Sequence, residues 1–559
     1  MQLKIARSPF LAPLLAGIAA LLPSLACGAD TARPPRDFYF PSTGVHVEGQ
    51  ALLLAIDDQL LPLRENMVEY LSKPAVRAEP VLSPSKDDPL APDQVAAHFY
   101  GAVIQDGGKF RMWYYPVGLS EPGDARKADL KKVTQGPVCY AESTDGIHWT
   151  KPVLYQLEFK GSKHNNAVAL PDEKIEGVHV IKDESDPNPA RRYKMVYNAH
   201  DGNTWVFRTA VSADAVHWKA APEFAIRNFL ETASLYKFNN YYFVQGQRLL
   251  FSEGGHPGGR QGRGVLSPDF DRWLPGDTQG FFLPEPLDPA ARGQTKPYDQ
   301  VHLGVGAASF GSVCVGLYGI WHNQPGDENQ QKQWGWFGYA KISCDLGLVI
   351  SNDGMRFREP VKGHPYISRF DAPATPAPGK QYPTILAQSG NGILNVGDET
   401  RIYFGRWLNA EYGQGYNGEV ALATLPRDRW GSVGLFPVPQ SQGAGTGGAP
   451  RANNGPVPDR GFVWSAPIRL PAQGCQVLLN AEHTKGMSVE ISDERFELLP
   501  DYSGANAGRT TQASGLECGV TWSKAATAAL GGRTVRFKIN LQKDGAADPR
   551  LFAVYLRTK

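Results

Sequence analysis

The sequence predicts an all-β fold, a five-bladed β-propeller followed by a β-sandwich. Two observations support this fold class. A hairpin motif, Ser-x-Asp with an aromatic residue four positions after the Asp, recurs at intervals of tens of residues, which is typical of repeated modules. The 559-residue chain also combines 60 glycines and 44 prolines with 11% aromatic residues. Short aromatic strands joined by many turns are typical of all-β proteins.

The hairpin motif has a physical explanation in its turn. In CYAESTDGIHW, the Ser143 and Asp145 side chains can bond backbone N–H groups two residues on, and Trp149 anchors the strand that follows. The further copies are Ser212, Asp214 and Trp218; Ser267, Asp269 and Trp273; Ser351, Asp353 and Phe357; and, in weaker form, Thr424, Pro426 and Trp430. We interpret the motif as scaffold, without a chemical role.

The first 29 residues predict an export signal. Lys4 and Arg7 precede an apolar run over residues 10–22, which is shorter than the roughly 20 residues that span a bilayer. Cys27 leaves a lipid-modified N-terminus open as an alternative. The prediction is an exported protein, periplasmic or secreted, without a membrane span.

The rest of the chain divides into four segments by composition and strand pattern. They are a lead-in segment and loop (30–92), the five-bladed propeller (93–440), a Gly/Pro/Asn-rich linker (441–460) and the β-sandwich (461–559). Inside the propeller, the predicted first strands of the modules are AAHFYGAVI, HNNAVAL, LETASLYKF, PYDQVHLGVGAASF and QYPTILAQS. Each module then adds three strands through hairpins, as propeller blades do.

Charge and cysteine content exclude some functions. The formal net charge is +1 with 20% charged residues, which gives no electrostatic reason to expect nucleic acid or an anionic membrane as partner. Five cysteines follow the predicted signal, and we expect Cys475 and Cys518 to be the best candidates for a disulfide. No C-x-x-C spacing predicts a zinc site. No cofactor is required, although axial carboxylates leave room for a structural calcium ion.

The motifs resemble a known group of proteins. A propeller built on Ser-x-Asp-Gly-x-x-Trp hairpins and followed by a sandwich resembles the five-bladed glycosidases of the invertase, levansucrase and arabinanase types. The stretches FYGAVIQDGGKFRMWYY, CYAESTDGIHWTKP, HNNAV and RYKMVY resemble a largely uncharacterised group of exported bacterial proteins of that kind. The chain lacks the N-D-P-N-G, R-D-P and E-C-P motifs of the invertase type, which puts sucrose and fructan specificity in doubt. Sialidases are a less fitting alternative, because they have six blades.

The first residues of the innermost strands line the mouth of a propeller funnel, where ligands bind. The resemblance implies that Asp93 acts as base or nucleophile, Glu231 as general acid and Asp299 as modulator of the acid's pKa. The predicted substrate-binding residues are Asp58, His164, Asn165, Asn166, Tyr298, Gln300 and Tyr382. Asp57 and Asp58 compete with Asp93 for the first role. Three further residues, Trp321, Trp334 and Trp336, are candidates for stacking on sugars or for core packing.

The leading functional hypothesis is an exported glycoside hydrolase that acts on an oligo- or polysaccharide, with a furanoside as one candidate substrate. Two alternatives remain open. One is a non-catalytic carbohydrate-binding protein of the same architecture, and the other is a glycoside phosphorylase, which needs one carboxylic acid and a basic phosphate pocket. Turnover of glycosides with and without phosphate discriminates among the three.

Overall fold

The computed structural model confirms the all-β prediction. It describes residues 36–123, 133–202, 204–226, 230–251, 257–274, 278–281, 303–322, 343–376, 384–387, 390–408, 416–435, 459–545 and 547–558. These residues form 34 β-strands and no α-helix. Short 3-10 turns lie at Pro189–Arg191, Thr484–Gly486, Pro500–Tyr502, Gly504–Asn506 and Thr527–Leu530. In the described part of the chain, no helix has the length and apolar character needed to cross a membrane.

Six short strands precede the first predicted module. They are β1 (Asp37–Phe40), β2 (Val45–Glu48), β3 (Gln50–Leu54), β4 (Leu63–Glu65), β5 (Met67–Leu71) and β6 (Ala75–Val76). Burial alternates in β2, where Val45 and Val47 are buried and the residues between and after them are exposed. Strands with one buried face need a partner sheet, and β1, β3, β4 and β5 pair with strands from the far end of the chain.

The middle of the chain forms four-stranded antiparallel groups, which we call units one to five. Unit one contains β7 (Ala96–Asp106), β8 (Lys109–Leu119), β9 (Val133–Gln135) and β10 (Cys139–Ser143). Unit two contains β11 (Glu176–Lys182), β12 (Tyr193–Asp201), β13 (Thr204–Ser212) and β14 (Lys219–Ala220). Unit three contains β15 (Glu231–Phe238), β16 (Tyr241–Phe251), β17 (Pro257–Ser267) and β18 (Thr278–Phe281).

Units four and five share one nine-stranded sheet, because β21 and β23 meet in a parallel bridge between Cys344 and Ile385. Unit four contains β19 (Val305–Ser309), β20 (Cys314–His322), β21 (Ser343–Ser351) and β22 (Pro365–Ile367). Unit five contains β23 (Thr384–Ala387), β24 (Ile393–Val396), β25 (Glu399–Leu408) and β26 (Asn417–Pro426). The N-terminal β6 pairs with β26 and completes the outer edge of unit five.

The units are arranged in a ring through their innermost strands. Contacts run from β7 to β11, from β11 to β15, from β15 to β19 and from β19 to β24, and β25 and β26 return to β7. Asn391 ties this ring together: its backbone N–H donates to Gly101 O at 2.9 Å, and its side-chain oxygen accepts from Leu235 N at 3.0 Å. A radial arrangement of this kind lets each sheet bury both faces. The predicted number of blades stays a prediction.

The C-terminal region supplies eight further strands. They are β27 (Gly431–Leu435), β28 (Arg460–Trp464), β29 (Ile468–Arg469), β30 (Gln476–Glu482), β31 (Met487–Asp493), β32 (Ser514–Val520), β33 (Thr534–Gln542) and β34 (Arg550–Arg557). They form two sheets around a shared apolar core that includes Val489, Phe537 and Val554. Hairpin aromatics of units three and four, Phe243 and Phe357 among them, pack against the same core.

The lead-in segment is part of these two sheets, which corrects the predicted domain boundaries. One sheet has the order β2-β1-β29-β33-β28-β4 with β31 on β33, and the other has the order β32-β30-β34-β27-β5 with β3 on β34. Residues 37–71 therefore belong to the sandwich, and so does β27, which lies before the predicted linker. Edge strands from the N-terminus cover the edges of sheets that the C-terminal segment alone leaves open.

The Ser-x-Asp hairpins have the predicted scaffold geometry. Ser143 Oγ accepts from the backbone N–H of Asp145 at 3.2 Å and of Gly146 at 2.9 Å, and Asp145 Oδ1 accepts from Ile147 N and His148 N, each at 2.8 Å. The same bonds recur at Ser212 and Asp214, Ser267 and Asp269, and Ser351 and Asp353.

The residue after each motif aspartate has a positive φ, which the sequence predicted only where glycine stands. Gly146 and Gly354 have φ of 74° and 75°, but Ala215 and Phe270 have φ of 69° and 71°. Such values strain a residue with a side chain, so the hydrogen bonds of the hairpin offset a local cost. The predicted pair Cys475 and Cys518 is not joined, since all five described cysteines are free and buried.

Candidate active site

One edge of the ring carries the starts of the innermost strands, and we call it the mouth. The Ser-x-Asp hairpins lie at the opposite edge, because strands of a unit alternate in direction. Five strands begin at the mouth: β7, β11, β15, β19 and β23. A sixth strand, β20, ends there. Side chains at these positions are the ones that a ligand at the centre of the ring can reach.

Glu231 is the first residue of β15 and lies at the mouth. Its side chain is half-buried, and Gln247 Nε2 donates to Glu231 Oε2 at 2.5 Å. Gln247 is itself 1% exposed, and its Oε1 accepts from Leu303 N at 2.8 Å. Because Leu303 precedes the innermost strand of unit four, the Glu231 carboxylate is oriented by two neighbouring units.

Glu176 is a second carboxylate at the mouth, and the sequence prediction missed it. It is the first residue of β11 and is half-buried. The next residue, Gly177, has φ of 62° and lies against Thr232; a Cβ there would be 3.0 Å from Thr232 Oγ1. Since Gly177 follows Glu176 and Thr232 follows Glu231, this close approach brings the two glutamates to the starts of adjacent strands.

An asparagine fixes the close approach of β11 and β15. Asn198 Oδ1 accepts from the backbone N–H and from the hydroxyl of Thr232, each at 2.8 Å, and Asn198 Nδ2 donates to Leu230 O at 2.7 Å. Asn198 is 1% exposed, so these bonds form away from water and hold the backbone firmly. The two carboxylates thus stand on a rigid support.

A cluster of rings lines the mouth on the side of units one and five. It consists of His98, Tyr100, Tyr115, Trp407 and Tyr416. His98 Nε2 and the Tyr416 hydroxyl form a hydrogen bond, and burial lowers the pKa of His98 to about 3. The imidazole is therefore neutral at neutral pH and shares one hydrogen bond with the Tyr416 hydroxyl. Clustered rings of this kind provide flat apolar faces with a few polar atoms.

Asp93, which was predicted to act as base or nucleophile, is buried and has a structural role instead. Its side chain is 1% exposed, Tyr114 OH donates to Asp93 Oδ2 at 2.8 Å, and Lys151 Nζ lies 2.5 Å from the same oxygen. A carboxylate buried in an ion pair and a hydrogen bond has no open face for a substrate. The sequence placed Asp93 at the start of the first strand, but β7 begins at Ala96 and the Asp93 side chain turns toward β8.

Asp58, predicted as a substrate-binding residue, lies away from the mouth. Arg358 donates to Asp58 Oδ1 at 2.7 Å and to the buried Asp57 Oδ1 at 2.9 Å, and Asn352 Nδ2 donates to Asp57 Oδ2 at 2.7 Å. Asn352 and Arg358 belong to the hairpin region of unit four. The Asp57–Asp58 pair therefore joins the sandwich to the hairpin edge of the ring, which excludes both from the mouth.

His164, Asn165 and Asn166 also differ from the prediction, because the innermost strand of unit two begins later, at Glu176. His164 packs edge-on against Tyr155 with ring centroids 5.8 Å apart. Asn165 Nδ2 donates to two backbone carbonyls, and Asn166 Nδ2 donates to Tyr114 OH and to Tyr140 O, each at 2.8 Å. Both asparagines are buried and hold the loop between units one and two.

The other predicted site residues lie outside the described residues: Tyr298, Asp299, Gln300, Tyr382, Trp334 and Trp336. Trp321 is described and is 7% exposed within an apolar cluster, so it packs in the core. Among described residues, no group of three or more His, Cys, Asp or Glu is arranged to hold a metal ion. The structural calcium ion stays a prediction.

Comparison with curated proteins gives one short similarity. No family model matches the chain. A stretch of 121 residues is 31% identical to the uncharacterized protein Rv1502 of Mycobacterium tuberculosis, and it covers 22% of this chain. The match spans 33% of that relative's length, about a third, so the similarity concerns one segment of both proteins.

Comparison with solved structures finds carbohydrate-active enzymes at low similarity. A glycosyl hydrolase from Bacteroides ovatus is 14% identical with a TM-score of 0.41, covering 64% of this chain and 95% of its own. The β-1,2-mannobiose phosphorylase from Listeria innocua is 12% identical with a TM-score of 0.38, covering 65% and 97%. A family 43 arabinoxylan arabinofuranohydrolase from Bacillus subtilis is 11% identical with a TM-score of 0.35, covering 86% and 99%.

Proposed function

We propose that the chain is a glycoside hydrolase that cleaves an oligo- or polysaccharide at the mouth of the ring. The observation that supports this proposal is the pair of half-buried glutamates, Glu176 and Glu231, at the starts of the adjacent strands β11 and β15. Most glycoside hydrolases use two carboxyl groups that flank the scissile bond. Export of the protein is part of the same proposal.

In this proposal Glu231 is the general acid. A general acid protonates the leaving oxygen and must lie within hydrogen-bond reach of it. The hydrogen bond from Gln247 Nε2 fixes the orientation of the Glu231 carboxyl group. Glu176 is the second carboxylate, which acts as base or nucleophile on the other side of the bond. Asp299 stays a candidate for a third carboxyl group.

Trp407 is the member of the ring cluster that can contact a sugar in this proposal. It is half-buried, whereas Tyr100 and Tyr115 are each 5% exposed and support it from the core. Aromatic faces pack against the C–H groups of sugar rings. The hydrogen bond between the neutral His98 and Tyr416 keeps the tyrosine hydroxyl in place. A substrate without net charge suits such a wall, since no buried charge is left unpaired by its binding.

The first test is a turnover screen of the mature protein. Chromogenic glycosides, β-1,2-linked manno-oligosaccharides and arabinoxylan oligosaccharides are offered with and without phosphate; the named structural neighbours guide this choice of probes. The proposal expects hydrolysis without phosphate. Turnover that requires phosphate identifies a phosphorylase instead, and binding without turnover identifies a carbohydrate-binding protein.

Two variants test the roles of the glutamates. Glu231→Gln and Glu176→Gln keep the shape of each side chain and remove its proton chemistry, so each is expected to slow hydrolysis by roughly 10²–10⁴-fold with little change in melting temperature. The matched control is Glu142→Gln, whose side chain lies at the hairpin edge and pairs with Lys109 at 2.9 Å. Full activity in Glu231→Gln contradicts the proposed acid.

A further inference from the structure

The side chain of Phe370 is unusually exposed for a large apolar residue. Its side chain is 78% exposed, more than that of any other large hydrophobic residue in the described part of the chain. It lies in a turn directly after β22, and the turn is well fixed: Asp371 N and Ala372 N donate to Ser368 O at 3.0 and 3.1 Å, and Phe370 N donates to Ser368 Oγ at 3.3 Å. These hydrogen bonds fix the backbone of the turn, and the Phe370 ring projects from it into solvent.

The polar neighbours of Phe370 form an ordered chain. The Arg369 guanidinium lies 4.4 Å from the centroid of the Phe370 ring. Asp345 accepts from Arg369 N at 2.6 Å and from Arg369 Nη1 at 2.5 Å, and His322 Nε2 lies 2.7 Å from Asp345 Oδ2. Asp345 is 5% exposed, whereas His322 and Arg369 are 35% and 21% exposed. A buried carboxylate therefore orients two partly exposed nitrogen-bearing side chains beside an exposed ring.

Asp345 is ionised in this arrangement. Burial alone would raise its pKa, but the hydrogen bond from His322 and the N–H group and charge of Arg369 lower it below the ordinary value. The Asp345 carboxylate accepts hydrogen bonds from Arg369 Nη1 and from one ring nitrogen of His322. The N–H groups of Arg369 that do not face Asp345 lie over the Phe370 ring, where they can donate to a ligand, and the second ring nitrogen of His322 faces away from Asp345.

This cluster belongs to the mouth and lies outward from Glu231. β20 ends at His322, Asp345 is the third residue of β21, and β22 ends just before the turn of Phe370. The innermost strand of the same unit follows Leu303, whose N–H donates to the glutamine that orients Glu231. Neighbouring strands lie about 4.8 Å apart, so Phe370 stands roughly 10–15 Å outward from the innermost strand.

We propose that Phe370, Arg369 and His322 form an outer subsite for a further sugar residue of an oligosaccharide substrate. The inference rests on the proposed function, because it places the reacting sugar at Glu231. The ring of Phe370 packs against the C–H face of the sugar, the N–H groups of Arg369 donate to its hydroxyl groups, and the second ring nitrogen of His322 forms a further hydrogen bond with a hydroxyl group. The separation from the innermost strand makes the subsite one for longer glycans, so it selects substrates by chain length.

The test compares Phe370→Ala with the parent protein on glycans of different length. The probes are a chromogenic monosaccharide glycoside and the disaccharide and hexasaccharide of the β-1,2-mannan and arabinoxylan series. We expect kcat/KM for the hexasaccharide to fall roughly tenfold through KM, with turnover of the chromogenic glycoside unchanged. The matched control is Phe496→Ala in the sandwich, whose ring lies 4.1 Å from the Arg536 guanidinium; it is expected to behave like the parent.

Two outcomes overturn the inference, and they can be told apart. If the parent hydrolyses the hexasaccharide and Phe370→Ala does so with the same KM, the outer subsite is absent while the proposed function stands. If the parent neither hydrolyses nor binds any probe, as judged by turnover and by calorimetry, the proposed function and the subsite both fall. Unchanged melting of Phe370→Ala shows that the comparison concerns binding, since the exposed ring contributes little to folding.

Discussion

The aspartates of the Ser-x-Asp hairpins are held in the ionised state by local hydrogen bonds. The backbone N–H and side chain of His148 lower the pKa of Asp145 well below its ordinary value. Burial would raise the pKa of Asp214, but its bonds from His217 and Val216 lower it strongly. The backbone N–H of Arg272 leads the effects that lower the pKa of Asp269 to about 2. Each of these carboxylates stabilises the fold only while it is charged.

We predict that the protein loses stability in acid because of these aspartates. A carboxyl group whose folded pKa lies below its unfolded value of about 4 contributes fully above that value, and the contribution disappears as pH falls toward the folded pKa. The melting temperature should therefore fall between about pH 4 and pH 2. A variant in which Asp145, Asp214 and Asp269 are all Asn should show a shallower fall over that range. Parallel curves would contradict this account.

We also predict that Asp214→Ala lowers the free energy of unfolding by about 0.5–3 kcal/mol, because two backbone N–H groups lose their acceptor. Hydrolysis per folded molecule should not change, since the hairpin lies at the edge opposite the mouth. The control is Asp544→Ala, which removes an exposed pair with Lys485 and should change stability little. Lost turnover with unchanged chemical denaturation would assign the hairpin a chemical role.

Single residues also show how far sequence reasoning reaches into the site. Glu231 was predicted because it opens a clear run of strand-forming residues. Glu176 was missed because the earlier stretch HNNAVAL reads as a strand, whereas the structure holds it as a buried loop. The sequence signal that could have identified Glu176 is the run EGVHVIK. It follows a turn and has a glycine where two strands approach closely. Burial of Asp93 depends on Lys151, which is distant in sequence and gives no local signal.

At the scale of elements, the weaker fifth hairpin has a different task from the other four. It lacks the serine and carries Arg427, Asp428 and Arg429, whose side chains all reach the sandwich. Arg427 Nη2 donates to Glu517 at 2.6 Å, Tyr555 OH donates to Asp428 at 2.8 Å, and Arg429 Nε donates to Asn480 at 2.9 Å. The departure from the motif therefore marks a docking element.

We predict that Arg429→Ala destabilises the protein by about 1–3 kcal/mol, because it leaves the partly buried Asn480 and Glu482 without their partner. Arg272 occupies the same position in the third hairpin but is 80% exposed. Arg272→Ala should thus change the free energy of unfolding by no more than about 0.5 kcal/mol. The two variants are compared by chemical denaturation, and equal effects would show that the fifth hairpin is no anchor.

At the scale of the whole molecule, the sequence predicted the fold class and the hairpins but not the way the chain ends combine. Strand-forming patterns and turn residues are local, so the repeated units follow from them. The partners that β1, β3, β4 and β5 find in the C-terminal region lie hundreds of residues away, and a short strand gives no indication of which distant edge it will join. For this reason residues 37–71 looked like a lead-in and residues 461–559 like a separate sandwich.

We predict that residues 459–559 do not fold alone. In the isolated segment β29 lacks its partner β1, β28 lacks β4, and β34 lacks β3 and β27. The fragment should show rapid amide exchange and no cooperative melting, whereas a chain of residues 36–559 should melt cooperatively. Cooperative melting of the fragment would show that the N-terminal strands are dispensable.

The pairing of β3 with β34 also determines when this part of the sandwich can form during protein synthesis. β3 leaves the ribosome 507 residues before the end of β34, so their ladder, Gln50 against Arg557 at one end, closes only after β34 has been synthesised. At ordinary rates of synthesis the early strands wait on the order of a minute for their partners. Throughout that interval the nascent polypeptide exposes unpaired apolar segments, and a chaperone that shields residues 37–71 would raise the yield more than one that acts after release.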